Sequence, residues 1–497
     1  MPSAEAAWLD SGESLEVNFP EIEIATETDS HTVTFSGGLE VQRGASLVLD
    51  NNTRNEAGPT ITYAFSAPVI VNGSLKFDGN AAGLGSAGGT SGPVTFSDDA
   101  TLTVANGGEV IVGGVAVTGD ATSPLFKVEE GGKLDFTSAG ASSYSTIETS
   151  GTAIEVAGGE VSIDTGKINA TGDKPAITVG KDAELTISGG KITGSNGQPA
   201  IDAANGATVV IPEDSKAEIK SEGGNAAIDL APGASVQQGD NTITVAPVED
   251  ESASNYVDNH GNIVLESGSE DGKVAPNTVI QPDGTAISGK NDLPTVDSEG
   301  NVTVPEGGAT ITNPEGDKVE VDSDTEIPSI VIGVKDAETG KVETSKSIKL
   351  GGGTLTLETA VFDSEINFDE YTCTSVTSNP ANIVTTELQE NGTVLVTPVS
   401  TGTATITATY AKDNGAAEGI ALLDEGEATA DDTLTATFNV TVENESSGGG
   451  GGGGSSSSTT YAISVEDSKN GSVSVSPKRA EKGDEGNIPA HGAAVGK

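Results

Sequence analysis

A repeat of 23 to 27 residues constrains this chain more than any other feature. Residues 151–173 read GTAIEVAGGEVSIDTGKINATGD, residues 175–198 read PAITVGKDAELTISGGKITGSNGQ, and the stretch from Pro199 reads PAIDAANGATVVIPEDSKAEIKSEGGN. Each unit holds an Ile-x-Val-like strand, a turn, a second alternating strand, a Gly-rich turn and a third short strand. Ile154, Ile177, Ile201 and Ile228 are equivalent, at spacings of 23, 24 and 27. The extra residues of the last interval fall in one corner, because Ile211 to Ile219 spans eight positions where Ile187 to Ile192 spans five. Apolar and polar residues alternate within each strand, which buries one face. Strands this short are marginal as isolated hairpins. Three per coil instead close a triangular turn, and each coil pairs in parallel with the next at a rise of about 4.8 Å. A helical reading fails, since Gly, Thr and β-branched residues dominate every unit.

Earlier units fit with more variation. Phe126 and Val128, Val94 and Phe96, Val69 and Val71, and Leu39 and Val41 are each taken as a first strand. Coils are therefore expected to start near 39, 69, 94, 126, 154, 177, 201 and 228. The predicted fold is all-β: a right-handed parallel β-helix of about eight coils over 36–248, preceded by an N-terminal cap at 1–35. Gln238 occupies the slot held by Ile187 and Ile211 in earlier coils, so nothing is expected to pack above it.

Composition agrees with a thin core. Hydrophobic residues are 34% and aromatics 3%, while Gly numbers 66. The formal net charge of −51 excludes nucleic acid, because a polyanion repels a polyanion, and it opposes docking on an anionic membrane. No apolar run approaches the roughly 20 residues of a membrane span. The single cysteine, Cys373, leaves no disulfide within the chain and no Cys-based metal site. His31, His260 and His491 lie far apart in sequence, which disfavours a His-ligated metal or a Ser-His-Asp triad. No catalytic, metal or cofactor-binding residue is predicted, and no binding residue is identified. No signal peptide is visible, although Ala4-Glu5-Ala6 has a small-x-small look.

From about residue 250 the pattern changes. DNHGNIVL, PDGTAIS, DSEGNVTVPEGG and NPEGDKVEV read as small hairpins, and Gly284, Gly300 and Gly316 recur at intervals of 16. Asp297, Glu299, Glu306, Glu315, Asp317, Glu320, Asp322 and Asp324 make this region, 249–326, strongly acidic. None of it has the Asp-x-Asp-x-Asp-Gly spacing of a calcium loop, so it reads as a solvated acidic spacer.

Residues 327–443 form a second β region, with strands expected at 330–334, 354–359, 393–397, 403–410 and 434–442. Ser378-Asn379-Pro380, Asn391-Gly392-Thr393 and Gly402-Thr403-Ala404-Thr405-Ile406-Thr407-Ala408 occur within Thr374 to Tyr410. This stretch resembles a group 2 bacterial immunoglobulin-like domain, which implies an Ig-like β-sandwich. Cys373 lies close to where that family has a Trp, and it is expected as a buried filler. The acidic insert Asn414 to Asp432 is expected as a mobile loop. A Gly/Ser linker follows at 444–460, with seven consecutive glycines at 448–454. After it, YAISVEDSKNGSVSVSPKRAEKGD resembles the start of an internalin-type B repeat and then stops matching. Residues 461–497 are therefore expected as a truncated, disordered repeat. Tyr461 to Val465 and Ser472 to Ser476 would at most pair through an Asn470-Gly471 turn.

The β-helix resembles those of the pectin-lyase-like class, which hosts both polysaccharide-degrading enzymes and non-enzymatic adhesins. Enzymes of this type need clustered carboxylates, or a base beside bound calcium. Candidates are loose: Asp98 with Asp99, Glu129 with Glu130, and Lys181 with Asp182, all in turns, besides Arg43 and Arg54. A sugar-stacking platform is not evident, since Trp8 lies outside the repeats and only Tyr63 and Tyr144 lie in the helix region. The sequence reads as a non-enzymatic, secreted or cell-surface, adhesin-like protein of a Gram-positive bacterium. It would be a monomer that displays the β-helix to an extracellular glycan or another host or bacterial surface ligand. The alternative is a polysaccharide lyase or glycoside hydrolase of the β-helix type.

Overall fold

The computed structural model describes residues 31–50, 61–79, 93–97, 100–119, 123–137, 145–239, 241–247, 253–323, 327–363, 366–412 and 433–444, with short strands at 3–4, 7–9, 14–17, 460–462, 471–473, 479–481 and 490–492. Among them the only helical element is the short 3₁₀ turn Phe368–Glu370, and no helix is long and apolar enough to cross a membrane. The chain divides into two units, Met1–Glu443 and Asn444–Lys497.

A parallel β-solenoid opens the first unit. Each coil carries one strand on each of three faces; Ile154–Ala157, Glu160–Ile163 and Lys167–Ala170 make one such coil. Ile154 pairs in register with Ile177, and Ile177 with Ile201. On the second face Val161 pairs with Leu185 and Leu185 with Val209, and on the third Ile168 pairs with Ile192 and Ile192 with Ile219. These side chains point inward and are buried, except Ile219, which is half-buried. One continuous apolar core runs from Phe35 to Leu265. The first corner of many coils is a tight turn. In one of them the Ala207 N–H donates to the Ala204 carbonyl across Gly206, whose φ of +79° only glycine adopts without strain.

Two expectations for the solenoid need correction. Val94–Phe96 is not a first strand. It pairs with Tyr63–Phe65 and Val117–Gly119 on the third face, and Leu102–Val104 holds the first-strand place between Val69–Val71 and Phe126–Val128. Both segments are short apolar-x-apolar runs, so alternation alone does not say which face each belongs to. Residues 1–35 also do more than cap. Ser3–Ala4, Ala7–Leu9 and Ser14–Val17 pair in parallel with His31–Phe35, Leu39–Val41 and Ser46–Asp50, so the stack begins earlier than position 36.

Parallel stacking ends at the coil of Gln238. Asn241–Thr244 folds back antiparallel on Ser235–Gln238, and Asn255–Asp258 runs antiparallel to Ala226–Leu230. The Gln238 side chain donates to the Gly261 carbonyl at 3.2 Å. On the third face the last strand is Glu218–Ser221. There the Asn259 amide takes the place of a neighbouring strand. It accepts from the Ser221 N–H at 2.7 Å and donates to the carbonyls of Ser221 and Gly224 at 3.2 and 3.0 Å.

The acidic region continues the first face. Asn255–Asp258, Ile263–Leu265, Thr278–Ile280, Ala286–Gly289, Ala309–Thr312 and Lys318–Val321 extend it as antiparallel neighbours, giving one sheet of 15 strands. Gly284, Gly300 and Gly316 sit at positive φ in its turns, as the Asp/Glu-Gly pattern requires, and Gly261 does so after His260. Its acids largely serve structure. Asp297 accepts from the backbone N–H groups of Glu299 and Asn301, and Asp317 pairs with Lys335 at 2.6 Å. Asp324 lies outside the described residues.

Residues from 330 to 443 form two sheets around one core. Val342–Glu343, Ile330–Lys335, Leu355–Val361, Val394–Pro398 and Val384–Leu388 make one sheet, and Ser345–Lys349, Thr433–Glu443, Gly402–Lys412 and Tyr371–Asn379 make the other. The five expected strands are present within a few residues, while those at 342–343, 345–349, 371–379 and 384–388 are not among the expected ones. In the 371–379 strand Tyr371, Cys373 and Val376 pack partly against the core, but a register shift between Cys373 and Ser375 interrupts the alternation. Cys373 is half-buried at the margin of the core rather than a fully buried filler, and burial raises its thiol pKa. A second cluster joins Ile287, Ile311 and Val319 of the acidic region to Val331, Val342 and Phe362 of the sandwich.

The insert 414–432 and Gly448–Gly454 lie outside the described residues. In the second unit Thr460–Ala462 pairs with Arg479–Glu481, and Gly471–Val473 with Ala490–Gly492. The described pairing is thus not the single hairpin through Asn470-Gly471.

Candidate functional site

The outward positions of the first solenoid face stack into a column. Glu40, Ile70, Thr103, Lys127, Glu155, Thr178, Asp202 and Asp229 are successive in-register neighbours, and Tyr256 follows Asp229. Lys127 lies 3.9 Å from both Glu129 and Glu155. Asp202 and Asp229 stack directly with no lysine between them. Burial against the sheet pushes the Asp202 carboxyl above its usual range. Burial, and then the charge of Asp202, do the same to Asp229, offset in part by the Leu230 N–H. Burial and the nearby Asp258 charge raise Tyr256.

The second face carries the Lys133–Glu160 pair at 2.6 Å. Beside it, burial and the charges of Glu109 and Asp164 raise Asp135. On the third face Lys191 pairs with Glu218 at 3.2 Å. A shallow depression of about 250 Å³ opens on the acidic region, lined by Thr310, Lys318, Val319, Glu320, Thr339 and Lys341. Glu320 bridges Lys341 at 2.6 Å and Lys290 at 3.4 Å, and the Lys341 contact holds its carboxyl below the ordinary range. The Lys341 pair ties the last hairpin of the acidic region to the strand at 342–343, and the Lys290 pair ties it to the strand Ala286–Gly289.

The turn candidates do not converge. Glu129 and Glu130 flank one corner, and Lys181 and Asp182 form another, with Asp182 at a φ of +60°. Arg43 donates to the Asn106 carbonyl at 3.1 Å and braces two corners that lie two coils apart. Tyr63 is fully buried and offers no stacking surface. His260 bonds the Ser298 carbonyl through Nε2 at 3.0 Å. Asp98, Asp99, Arg54 and Tyr144 lie outside the described residues. No cluster of three or more His, Cys, Asp or Glu side chains that could hold a metal occurs among the described residues. The Asp202–Asp229 pair was missed, yet it was readable: aligning Ile201 with Ile228 places the next residues in one outward column.

The raised carboxyls set a pH dependence. A carboxyl whose folded pKa lies above its unfolded value, about 3.9 for Asp, favours folding when protonated, and that advantage is lost as pH rises through the folded pKa. Asp202→Asn with Asp229→Asn is therefore expected to raise Tm at neutral pH. The gain should vanish in melts run below the ordinary carboxylate range, and an equal gain at both pH values would contradict the repulsive pair.

No protein-family model matches this chain, and neither a curated protein nor a solved structure is similar to it.

Proposed function

We propose that this chain is a non-enzymatic, extracellular or cell-wall-associated adhesin-like protein that presents its β-solenoid to a glycan or another surface ligand. One observation carries this reading: the first face of the solenoid passes without a break into the acidic region, whose apolar side chains share a core with the sandwich. That architecture supports a reading in which the solenoid is held on a neighbouring module as a presented surface. The motif from Thr374 to Tyr410 supports a group 2 bacterial immunoglobulin-like domain as that module, and the segment after Tyr461 supports an internalin-type repeat beyond it. Both kinds of module belong to secreted surface proteins.

A polysaccharide hydrolase is favoured by one feature, the stacked Asp202–Asp229 pair with elevated pKa values. A glycan array probed with the full chain, run beside degradation assays on pectin and alginate, separates the two. Binding without reducing-end release, and without growth of unsaturated-uronate absorbance with or without calcium, is the expected result. Product formation abolished by Asp202→Asn would establish the hydrolase instead.

A further inference from the structure

The sandwich carries a surface unlike the rest of the molecule. Its strands Tyr371–Asn379, Gly402–Lys412 and Thr433–Glu443 contain no Asp, Glu, Lys or Arg except the terminal Lys412 and Glu443, in a chain that is 20% charged with a net charge of −51. The solenoid uses Lys–Glu pairs on its outward faces, as at Lys133–Glu160 and Lys191–Glu218. On these three strands charge lies at the ends, in the ion pairs Lys412–Glu370 and Lys349–Glu443, while the edge strand Ser345–Lys349 adds Lys346, paired with Glu343.

Between those ends the outward face is a hydroxyl grid. Thr377, Thr407 and Thr437 are in register across the three strands, and Ser375, Thr409 and Thr435 form the next row. All six are exposed or half-exposed, while Ile406, Ala408 and Phe438 alternate with them into the core. One further row is closed within the protein, since Thr405 donates to the Asn439 side chain at 2.9 Å. The hydroxyls of Thr377, Thr407 and Thr437 make no hydrogen bond to another described residue, so their donors and acceptors remain available. Neighbouring hydroxyls repeat at about 4.8 Å across strands and about 6.8 Å along them, on the order of the dimensions of one sugar ring.

We propose that this face docks a neutral polysaccharide. Each hydroxyl can donate or accept, and each threonine methyl offers apolar contact to a sugar face. The chain's net charge repels polyanions, and its acidic surfaces would draw a polycation elsewhere, but a neutral polyhydroxyl partner meets no opposing charge on the grid. This inference places a ligand on the sandwich and stands apart from the solenoid-binding reading.

The test is pull-down of the full chain on insoluble microcrystalline cellulose, chitin and starch, with alginate gel as the anionic comparator. Retention on at least one neutral polymer, insensitive to added salt, is expected. Thr407→Val with Thr437→Val keeps β-propensity and shape and removes two hydroxyls, so retention should weaken about tenfold with Tm little changed. Thr407→Glu with Thr437→Glu should abolish it. The proposal is overturned by absence of retention on every neutral polymer, or by retention that salt removes. Retention that survives the valine pair overturns it too, even where a change on the outward solenoid face, such as Asp202→Asn, removes binding and so leaves the solenoid reading intact.

Discussion

Replacing Ile177 with Asp is expected to collapse the solenoid around its coil. Ile177 is fully buried, with Ile154 below and Ile201 above in register. An Asp there finds no partner in a layer one side chain thick. It must stay charged in an apolar core or fold protonated with its hydrogen bonds unmade, at a cost of at least about 4 kcal/mol. For a stack of this size that lowers Tm by about 10 °C or more, measured by circular dichroism of the full chain. Thr178→Lys is the matched control. Thr178 is the next residue, points outward, and pairs with Glu155 and Asp202. A one-residue step in a strand exchanges faces, so this lysine should change Tm little. Similar melting of the two variants would refute the inward register.

The second large effect is Phe65→Ala. Phe35, Phe65 and Phe96 are in-register neighbours on the third face. Phe65 is fully buried, with ring centroids 4.8 Å from Phe35 and 5.3 Å from Phe96, both stacked, and 6.3 Å from Phe77 edge-on. In a chain with only 10 Phe, this ladder places three of them one above another in the core. Truncation leaves a cavity that a parallel stack, fixed by backbone hydrogen bonds on both sides, cannot close, at a cost of about 3–5 kcal/mol. The rings also lose two stacking partners, worth about 0.5–1.5 kcal/mol each. Denaturant titration followed by circular dichroism should show the midpoint fall, with Phe65→Leu in between. An unchanged midpoint would show that the ladder bears no load. The ladder ends because Phe96 pairs with Gly119, where a side-chain Cβ would sit 2.6 Å from Leu125.

Much of the fold was legible, because the solenoid's signal is local and repeated. Ile154, Ile177, Ile201 and Ile228 align on spacing alone, and the structure stacks them in that order. Less regular coils lose that advantage. Around Val94 two short apolar strands compete for one slot, and only pairing with both neighbouring coils separates them. For the candidate site, the repeat alignment already held Asp202 and Asp229, but attention went to charged corners, where Glu130 and Lys181 do no more than face solvent.

The sequence by itself determined the all-β class, the parallel stack, its end near Gln238 and the hairpin turns of the acidic region. Each of these follows from alternation, from periodicity or from a glycine that a turn demands. Tertiary structure alone decided how the parts join. The first face runs on through antiparallel strands into one sheet of 15, Asn259 closes the open edge at Ser221, and the grid at Thr377, Thr407 and Thr437 forms from segments some 30 residues apart. Strand pairing between distant segments rests on backbone groups that every residue carries alike. Side-chain order therefore shows which face is buried and leaves open which strand lies alongside.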